Sequence, residues 1–250
     1  MIDIINVAPV NTEAELDRLA KRYRGASGPG LRLLNVAGSR AESLIERLPA
    51  VIRDNLVDAT EAALRVSMRA ANGSRSALPD QKAWVNTAMA SALGAAGGFG
   101  GAPTALMELP VTTTLLLRSI QGAARKEGFD PGAPNVTFDC IRVLSAAGPL
   151  EEDDGSDLGF YTVRMTLTGG AVQKMISAVA PKVAVSMGQK LATQTIPVLG
   201  AVAGATTNYI YARYYQEIAH VHFGLRRLAI EADVPRERLV EQLKDRMRLS

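Results

Sequence analysis

Two long stretches of this 250-residue chain contain no charged side chain, and they constrain its fold more than any other feature. They cover residues 83–107 and residues 191–212. Each is long enough to cross a bilayer as a helix, but both contain threonine, asparagine and proline, which are costly in hydrocarbon unless the protein satisfies the polar groups. Each stretch must therefore pack against protein or enter a membrane only shallowly or as a re-entrant segment.

Helical periodicity predicts an all-α fold. Apolar residues recur at three- and four-residue spacings over residues 40–71, with charged residues between them. The other apolar runs have helical period or helical length, and none combines strand alternation with the chemistry of a hairpin turn. We predict a single multi-helix bundle whose central helices are rich in glycine and nearly free of charge. An apolar fraction of 47% is ample for its core.

Glycine, proline and helix-capping residues predict where the helices begin and end. We expect a turn over residues 72–80, a helix start at Thr104 or Pro110, a stop at Gly128, a cap at Asn135 for residues 136–147, a bend at Pro181, a long helix from Pro197 to about Ile230, and a last helix beginning within residues 233–237.

The chain divides into two predicted regions. Residues 1–39 form an N-terminal extension with one amphipathic helix, and the glycine-rich residues 25–30 form a flexible joint to the helical domain of residues 40–250. The first 19 residues lack the pattern of a secretory signal. The only cysteine, Cys140, excludes an intramolecular disulfide, is expected to be a small core residue, and favours a reducing compartment.

The distribution of charge carries more information than its sum. The net charge of +3 is the small difference between 28 basic and 25 acidic residues, and the basic residues near the C-terminus alternate with acidic ones, so nucleic-acid binding is not expected. No acidic residue lies between Asp157 and Glu217. Five cations do lie there, namely Arg164, Lys174, Lys182, Lys190 and Arg213. Such an interval suits a negative membrane surface.

The sequence matches no known motif for catalysis, metal binding or cofactor binding. Residues 25–29 resemble a nucleophile elbow but have proline in place of the closing glycine, and residues 97–101 fit neither a dinucleotide fingerprint nor a phosphate loop. His220 and His222 are two residues apart, so they lie on different faces of a helix. The acidic run 151–157 does not match the register of an EF-hand loop. We predict no metal and no cofactor.

Glycines four residues apart indicate close helix packing or a hinge, because missing side chains on one helix face let another backbone approach. The residues concerned are Gly94, Gly97, Gly98, Gly100, Gly101, Gly200 and Gly204.

The order of several motifs resembles the EcsC family of bacterial proteins. A glycine-rich break at 97–101 and Glu108-Leu-Pro110 precede an apolar helix with Arg118, and Lys190, residues 196–200 and Asn208 follow downstream. The resemblance covers about residues 59–230, and Glu108 stands where many relatives have aspartate. It implies an all-helical domain and a link to membrane transport or envelope physiology, without an agreed biochemical activity.

Glu108 is the only charged residue between Lys82 and Arg118, so its side chain needs a cationic or hydrogen-bonding partner if it is buried. Arg118 is ten residues away, about 15 Å along one helix, and is too distant. Lys190 or Asn208 is the better candidate. The alternative is that Glu108 caps a first turn led by Pro110.

Three functions remain open. The first is a membrane-associated protein, peripheral or shallowly inserted at the inner face of the cell membrane, which contacts lipid or a transporter through residues such as Lys174, Lys182 and Lys190. The second is a hydrolase-type enzyme for an apolar or lipid substrate, with Glu108 as base and Arg118 or Lys190 holding an anionic group. The third is a soluble helical scaffold. The oligomeric state stays open.

Overall fold

The computed structural model describes residues 10–26, 45–77, 102–146, 171–194 and 200–248. This part of the chain contains no strand, which confirms the predicted all-α class. Its helices are α1 (Thr12–Ala26), α2 (Ala50–Ala77), α3 (Ala102–Lys126), α4 (Pro134–Leu144), α5 (Ala171–Gln194), α6 (Gly200–Glu231) and α7 (Arg236–Arg248).

Helix α6 lies at the centre of the bundle. It contacts α1, α3, α4, α5 and α7, while α2 packs against α3 and α5. Most of its side chains between residues 207 and 228 are buried, and Tyr211, Tyr215 and Phe223 are completely buried. A helix with so wide a buried surface needs several helices packed against it, which explains its central position.

The expected helix ends at Gly128 and around residue 233 are confirmed. Gly128 has φ +88, and the Phe129 amide donates to the Ala124 carbonyl at 3.0 Å, so α3 ends in a left-handed C-terminal cap. Asp233 has φ 51 between α6 and α7. Aspartate is among the few non-glycine residues that enter this region, and the chain can therefore turn there.

Several predicted boundaries were wrong. Helix α2 continues to Ala77 instead of turning at residue 72, because one internal glycine costs only about 1 kcal/mol. Helix α3 begins at Ala102, close to the expected start at Thr104, and contains Pro110, so the alternative start at Pro110 was wrong and Glu108 lies in the second turn rather than at a cap. Helix α4 starts with Pro134 after the N-cap Ala133, because proline is pre-organised for the first helical position.

Helix α4 ends at Leu144 and not at residue 147, with Ser145 as its C-cap. Helix α5 contains Pro181 within its span. Helix α6 starts at Gly200, and the expected start at Pro197 lies outside the described residues. Residues 78–80 of the predicted turn and the glycine-rich break at 97–101 lie outside them as well.

The N-terminal helix is packed into the bundle. The side chain of Asn11 caps α1 by accepting a hydrogen bond from the Ala14 amide at 3.1 Å. Leu16, Leu19 and Ala20 on its inner face are buried against α6 and α7. The helix predicted for the extension is therefore present and joins the common core. The predicted boundary at residues 39 and 40 lies outside the described residues.

Candidate functional site

The exposed face of α5 carries cations without any acid on the same helix. Lys174, Ala178, Pro181, Lys182 and Val185 are all exposed and recur at spacings of three and four residues. Such spacing places them on one side of the helix. Val185 keeps 39% of its surface accessible, so this face combines an apolar residue with two lysines.

Lys190 behaves differently from the two other lysines of α5. Only 1% of its surface is accessible, although it follows Lys182 by the same eight residues that separate Lys182 from Lys174. Asn208 on α6 is also buried, at 2%. Near Lys190, the Tyr211 hydroxyl donates to the Ser186 carbonyl at 3.2 Å and joins α6 to α5. Lys190 and Asn208 therefore belong to the interior, and Lys174 and Lys182 to the surface.

The first half of α6 also presents an exposed face without acids. Thr206, Tyr209 and Arg213 are exposed at spacings of three and four residues, and Tyr209 keeps 44% of its surface accessible. Tyrosine has an apolar ring and a polar hydroxyl, a combination suited to the boundary between water and lipid.

The other residues proposed from the sequence are placed as follows. Arg118 lies half-buried on α3. Glu108 lies in α3, but its side chain is outside the described residues. Gly94, Gly97, Gly98, Gly100 and Gly101 lie outside them completely. Gly200 is the first residue of α6, and Gly204 is in its second turn. The predicted contact of Glu108 with Lys190 or Asn208 stays a prediction.

A buried charge network surrounds His220, and its acidic member was not identified from the sequence. His220 Nδ1 lies 2.8 Å from Glu127 Oε1, and both side chains are about 5% exposed. Two guanidinium groups approach the other carboxylate oxygen, from Arg18 at 3.6 Å and from Arg227 at 3.4 Å. Burial alone would raise the pKa of Glu127, but the bond to His220 and the charges of Arg18 and Arg227 hold it below its usual value.

His222 belongs to a second buried pair, with Asp139 of α4. Its Nε2 lies 3.3 Å from Asp139 Oδ2, and Arg226 Nη1 donates to the same oxygen at 2.8 Å. Arg236 Nη2 lies 3.1 Å from His222 Nδ1 and 3.4 Å from Nε2. Arginine can only donate, so Nδ1 accepts and Nε2 carries the proton that is donated to Asp139. The shorter contact of Arg236 with Nδ1 and the contact of Nε2 with Asp139 favour this tautomer.

The electrostatics of this pair favour a neutral ring beside an ionised carboxylate. Burial and the positive charge of Arg236 lower the pKa of His222 from 6.5 to about 4. Burial opposes ionisation of Asp139, but the hydrogen bond with His222 and the charges of Arg226 and Arg236 lower its pKa to about 2. The network therefore holds α4, α6 and α7 together. Arg226 is partly buried beside Asp139, and Arg227 is partly buried beside Glu15 and Glu127.

No sequence signal could have identified the two acids. Glu127 is 93 residues from His220, and neither acid forms a recognised motif with a histidine. Within the described ranges, no three His, Cys, Asp or Glu side chains are grouped so that they could hold a metal ion. Cys140 is completely buried on α4, beside Asp139 in the sequence.

Among the described helices, none combines the length and the apolar character that a membrane-crossing helix needs. The second charge-free stretch is instead divided between the end of α5 and the first half of α6.

A family model for the EcsC protein family matches residues 35–228, which is most of the chain. The chain belongs to the EcsC family. The matched residues of this EcsC protein include α2 to α5 and nearly all of α6, whereas α1 and α7 lie outside them. No match was found among curated proteins or among solved structures.

Proposed function

We propose that this EcsC protein works at the inner face of a bacterial cell membrane as a peripheral or shallowly inserted protein that contacts anionic lipid. The observations that carry the proposal are the exposed faces of α5 and of the first half of α6, which display Lys174, Lys182 and Arg213. Val185 and Tyr209 supply exposed apolar surface on the same two helices. The link to membrane transport that has been proposed for the family adds support, and a transporter partner would be encountered at these surfaces.

The expected strength of this contact follows from the number of cations. Each lysine or arginine near an anionic membrane surface contributes about 1 kcal/mol, so three contribute about 3 kcal/mol. That free energy corresponds to roughly a hundredfold change in partitioning. Burial excludes Lys190 from the estimate, because it cannot reach a lipid headgroup without leaving the core.

Co-flotation with liposomes tests the proposal. We expect the protein to float with vesicles containing phosphatidylglycerol more than with vesicles of phosphatidylcholine alone, and to be released as salt increases. The triple change of Lys174, Lys182 and Arg213 to glutamine should lower partitioning into the anionic vesicles by about a hundredfold.

The matched control removes three exposed cations from other helices, namely Lys21→Gln in α1, Lys126→Gln in α3 and Arg238→Gln in α7. Its partitioning should fall much less. Equal losses in both triple variants would show that only net charge matters, and unchanged flotation of the first would show that these cations are merely solvated. The enzyme hypothesis depends on Glu108, and that residue's role stays a prediction.

A further inference from the structure

Helix α2 presents a stripe of exposed side chains on its outer face. Its members recur at spacings of three and four residues, namely Val51, Asp54, Asp58, Ala62, Arg65 and Arg69. Val51 keeps 74% of its surface accessible, the largest fraction among the exposed large apolar side chains of the described residues. Val57 and Val66 border the stripe and are exposed as well. The inner face of α2 packs against α3 and α5, so only the outer stripe is available for a contact with another molecule.

The charges of the outer stripe are divided between its two halves. Asp54 and Asp58 lie in the first half, and Arg65 and Arg69 lie in the second. The helix dipole favours acids in the first turn and cations in the last turn, and its effect is confined to those turns. Helix α2 runs from Ala50 to Ala77, so Asp58, Arg65 and Arg69 lie in its interior. The dipole therefore does not explain this division of charge.

A stripe with one acidic half and one basic half is complementary to a reversed copy of itself. Two antiparallel copies can be related by a twofold axis that passes midway between residues 61 and 62. Asp54 and Arg69 are equally far from that point, as are Asp58 and Arg65. Asp54 then lies opposite Arg69 of the second copy, Asp58 lies opposite Arg65, and the symmetry repeats each contact. A parallel pair would instead place each charge opposite a like charge.

A second copy of the chain fits the outer stripe better than lipid does. Asp54 and Asp58 would be repelled by an anionic membrane surface, which attracts cations. Residues 51–69 extend about 27 Å along the axis, and with a helix width of about 10 Å two copies would bury roughly 500 Å² in total. Stable interfaces bury at least about 1,200 Å², and smaller ones are typical of weak complexes. The stripe therefore suits a weak dimer, to which the exposed Val51 adds apolar contact.

We propose that the outer stripe of α2 is a self-association surface, through which two copies of this EcsC protein form a weak antiparallel dimer. The dissociation constant is on the order of 100 μM, because the contact area is small. The dimer uses none of the cations assigned to the membrane contact, so the two proposals can fail independently.

Charge exchange at Asp54 and Arg69 tests the antiparallel pairing. These residues are chosen because Arg65 already pairs with Glu61 of its own helix. Sedimentation equilibrium from about 5 to 500 μM should show the wild type passing from monomer towards dimer. Asp54→Arg and Arg69→Asp should each weaken association at least about tenfold, because each places like charges opposite one another in both repeated contacts. The double variant restores opposite charges and should associate within about threefold of the wild type.

An equimolar mixture of the two single variants provides a second arm. In the mixed dimer both contacts between residues 54 and 69 are attractive again, so association should return. Net charge cannot account for this recovery. The wild-type charge of +3 rises by two to +5 in Asp54→Arg and falls by two to +1 in Arg69→Asp, and two positively charged chains repel.

The matched controls make the same changes of charge on α7. Asp245→Arg and Arg238→Asp alter exposed residues of that helix and should leave association within about twofold of the wild type. Circular dichroism establishes that each variant is folded. Asp54→Asn and Arg69→Gln take the place of any swap that does not fold, and each should weaken association about threefold.

Four results would overturn the proposal. The wild type could stay monomeric over the whole concentration range, or the single swaps could associate as well as the wild type. The double variant and the mixture could both stay monomeric, or the α7 controls could weaken association as much as the α2 swaps. The first result would show that the outer stripe is merely solvated, and the others would show that any association does not use the antiparallel pairing of α2.

Discussion

Replacing His222 with glutamine should make the stability of the protein less sensitive to pH. His222 is completely buried, and its ring bridges the guanidinium of Arg236 and the carboxylate of Asp139. Burial and Arg236 lower its pKa from 6.5 to about 4, so the folded state holds the ring neutral where the unfolded chain protonates it. Because the folded-state pKa is depressed, the stability that His222 contributes is present above pH 6.5 and is lost as pH falls towards 4.

The pH-dependent loss of unfolding free energy follows from the difference between the two pKa values of His222. At about 1.4 kcal/mol per pKa unit, a change from 6.5 to about 4 corresponds to roughly 3 kcal/mol. Between these pH values the wild-type unfolding free energy should therefore fall up to about 1.4 kcal/mol per pH unit faster than that of His222→Gln. The variant loses hydrogen bonds and should be less stable than the wild type at pH 7, with the difference shrinking as pH falls.

Urea unfolding at several pH values between 4 and 7.5 measures this difference, with the m-value as a check on two-state behaviour. Arg236→Gln provides a second arm, because removing the cation should raise the pKa of His222 and narrow the pH interval over which stability is lost. Arg238→Gln, an exposed change two residues away on α7, is its matched control and should leave the curve unchanged. Parallel curves for wild type and His222→Gln would refute the reasoning.

Two further predictions concern packing and the role of Glu108. Gly122→Ala should stabilise the protein by up to about 1 kcal/mol, because no atom lies within 4 Å of the new Cβ. Gly224→Ala should be about 1–2 kcal/mol less stable than Gly122→Ala, because its new Cβ would approach Leu19. Equal urea midpoints for the two variants would contradict this prediction. If the Glu108 carboxylate pairs with Lys190, Glu108→Gln should lower the free energy of unfolding by about 2 kcal/mol or more. The effects of Glu108→Gln and Lys190→Gln should then be non-additive in a double-mutant cycle. Additive unfolding free energies would exclude the pair.

Local sequence patterns predicted the secondary structure well, because helix formation depends on neighbours within one or two turns. The period of the apolar residues identified the helical class, and Gly128 marked the end of α3, since a glycine tolerates positive φ. Predictions failed where propensity and packing disagree, as at Pro110. Helix α3 continues through this proline, and the Pro110 carbonyl accepts hydrogen bonds from Ser67 and Thr114.

The surface of α5 shows what spacing alone cannot decide. Lys174, Lys182 and Lys190 are equally spaced and chemically identical, yet two are exposed and one is buried. Which part of a helix is covered depends on the neighbouring helices, and that information is absent from the helix's own sequence. The sequence did determine that no acid accompanies these lysines between Asp157 and Glu217, and this property does not depend on the fold.

The histidine network and the packing of α1 on α6 were decided only by the tertiary structure. His220 and His222 could be recognised as the only two histidines, but their acidic partners lie on α4 and at the end of α3, many residues away. Likewise, nothing near Gly224 in the sequence indicates that Leu19 fills the space beside it. Helices are specified by interactions within a few residues, whereas contacts between helices depend on how the whole chain is folded, so only the assembled bundle could bring these groups together.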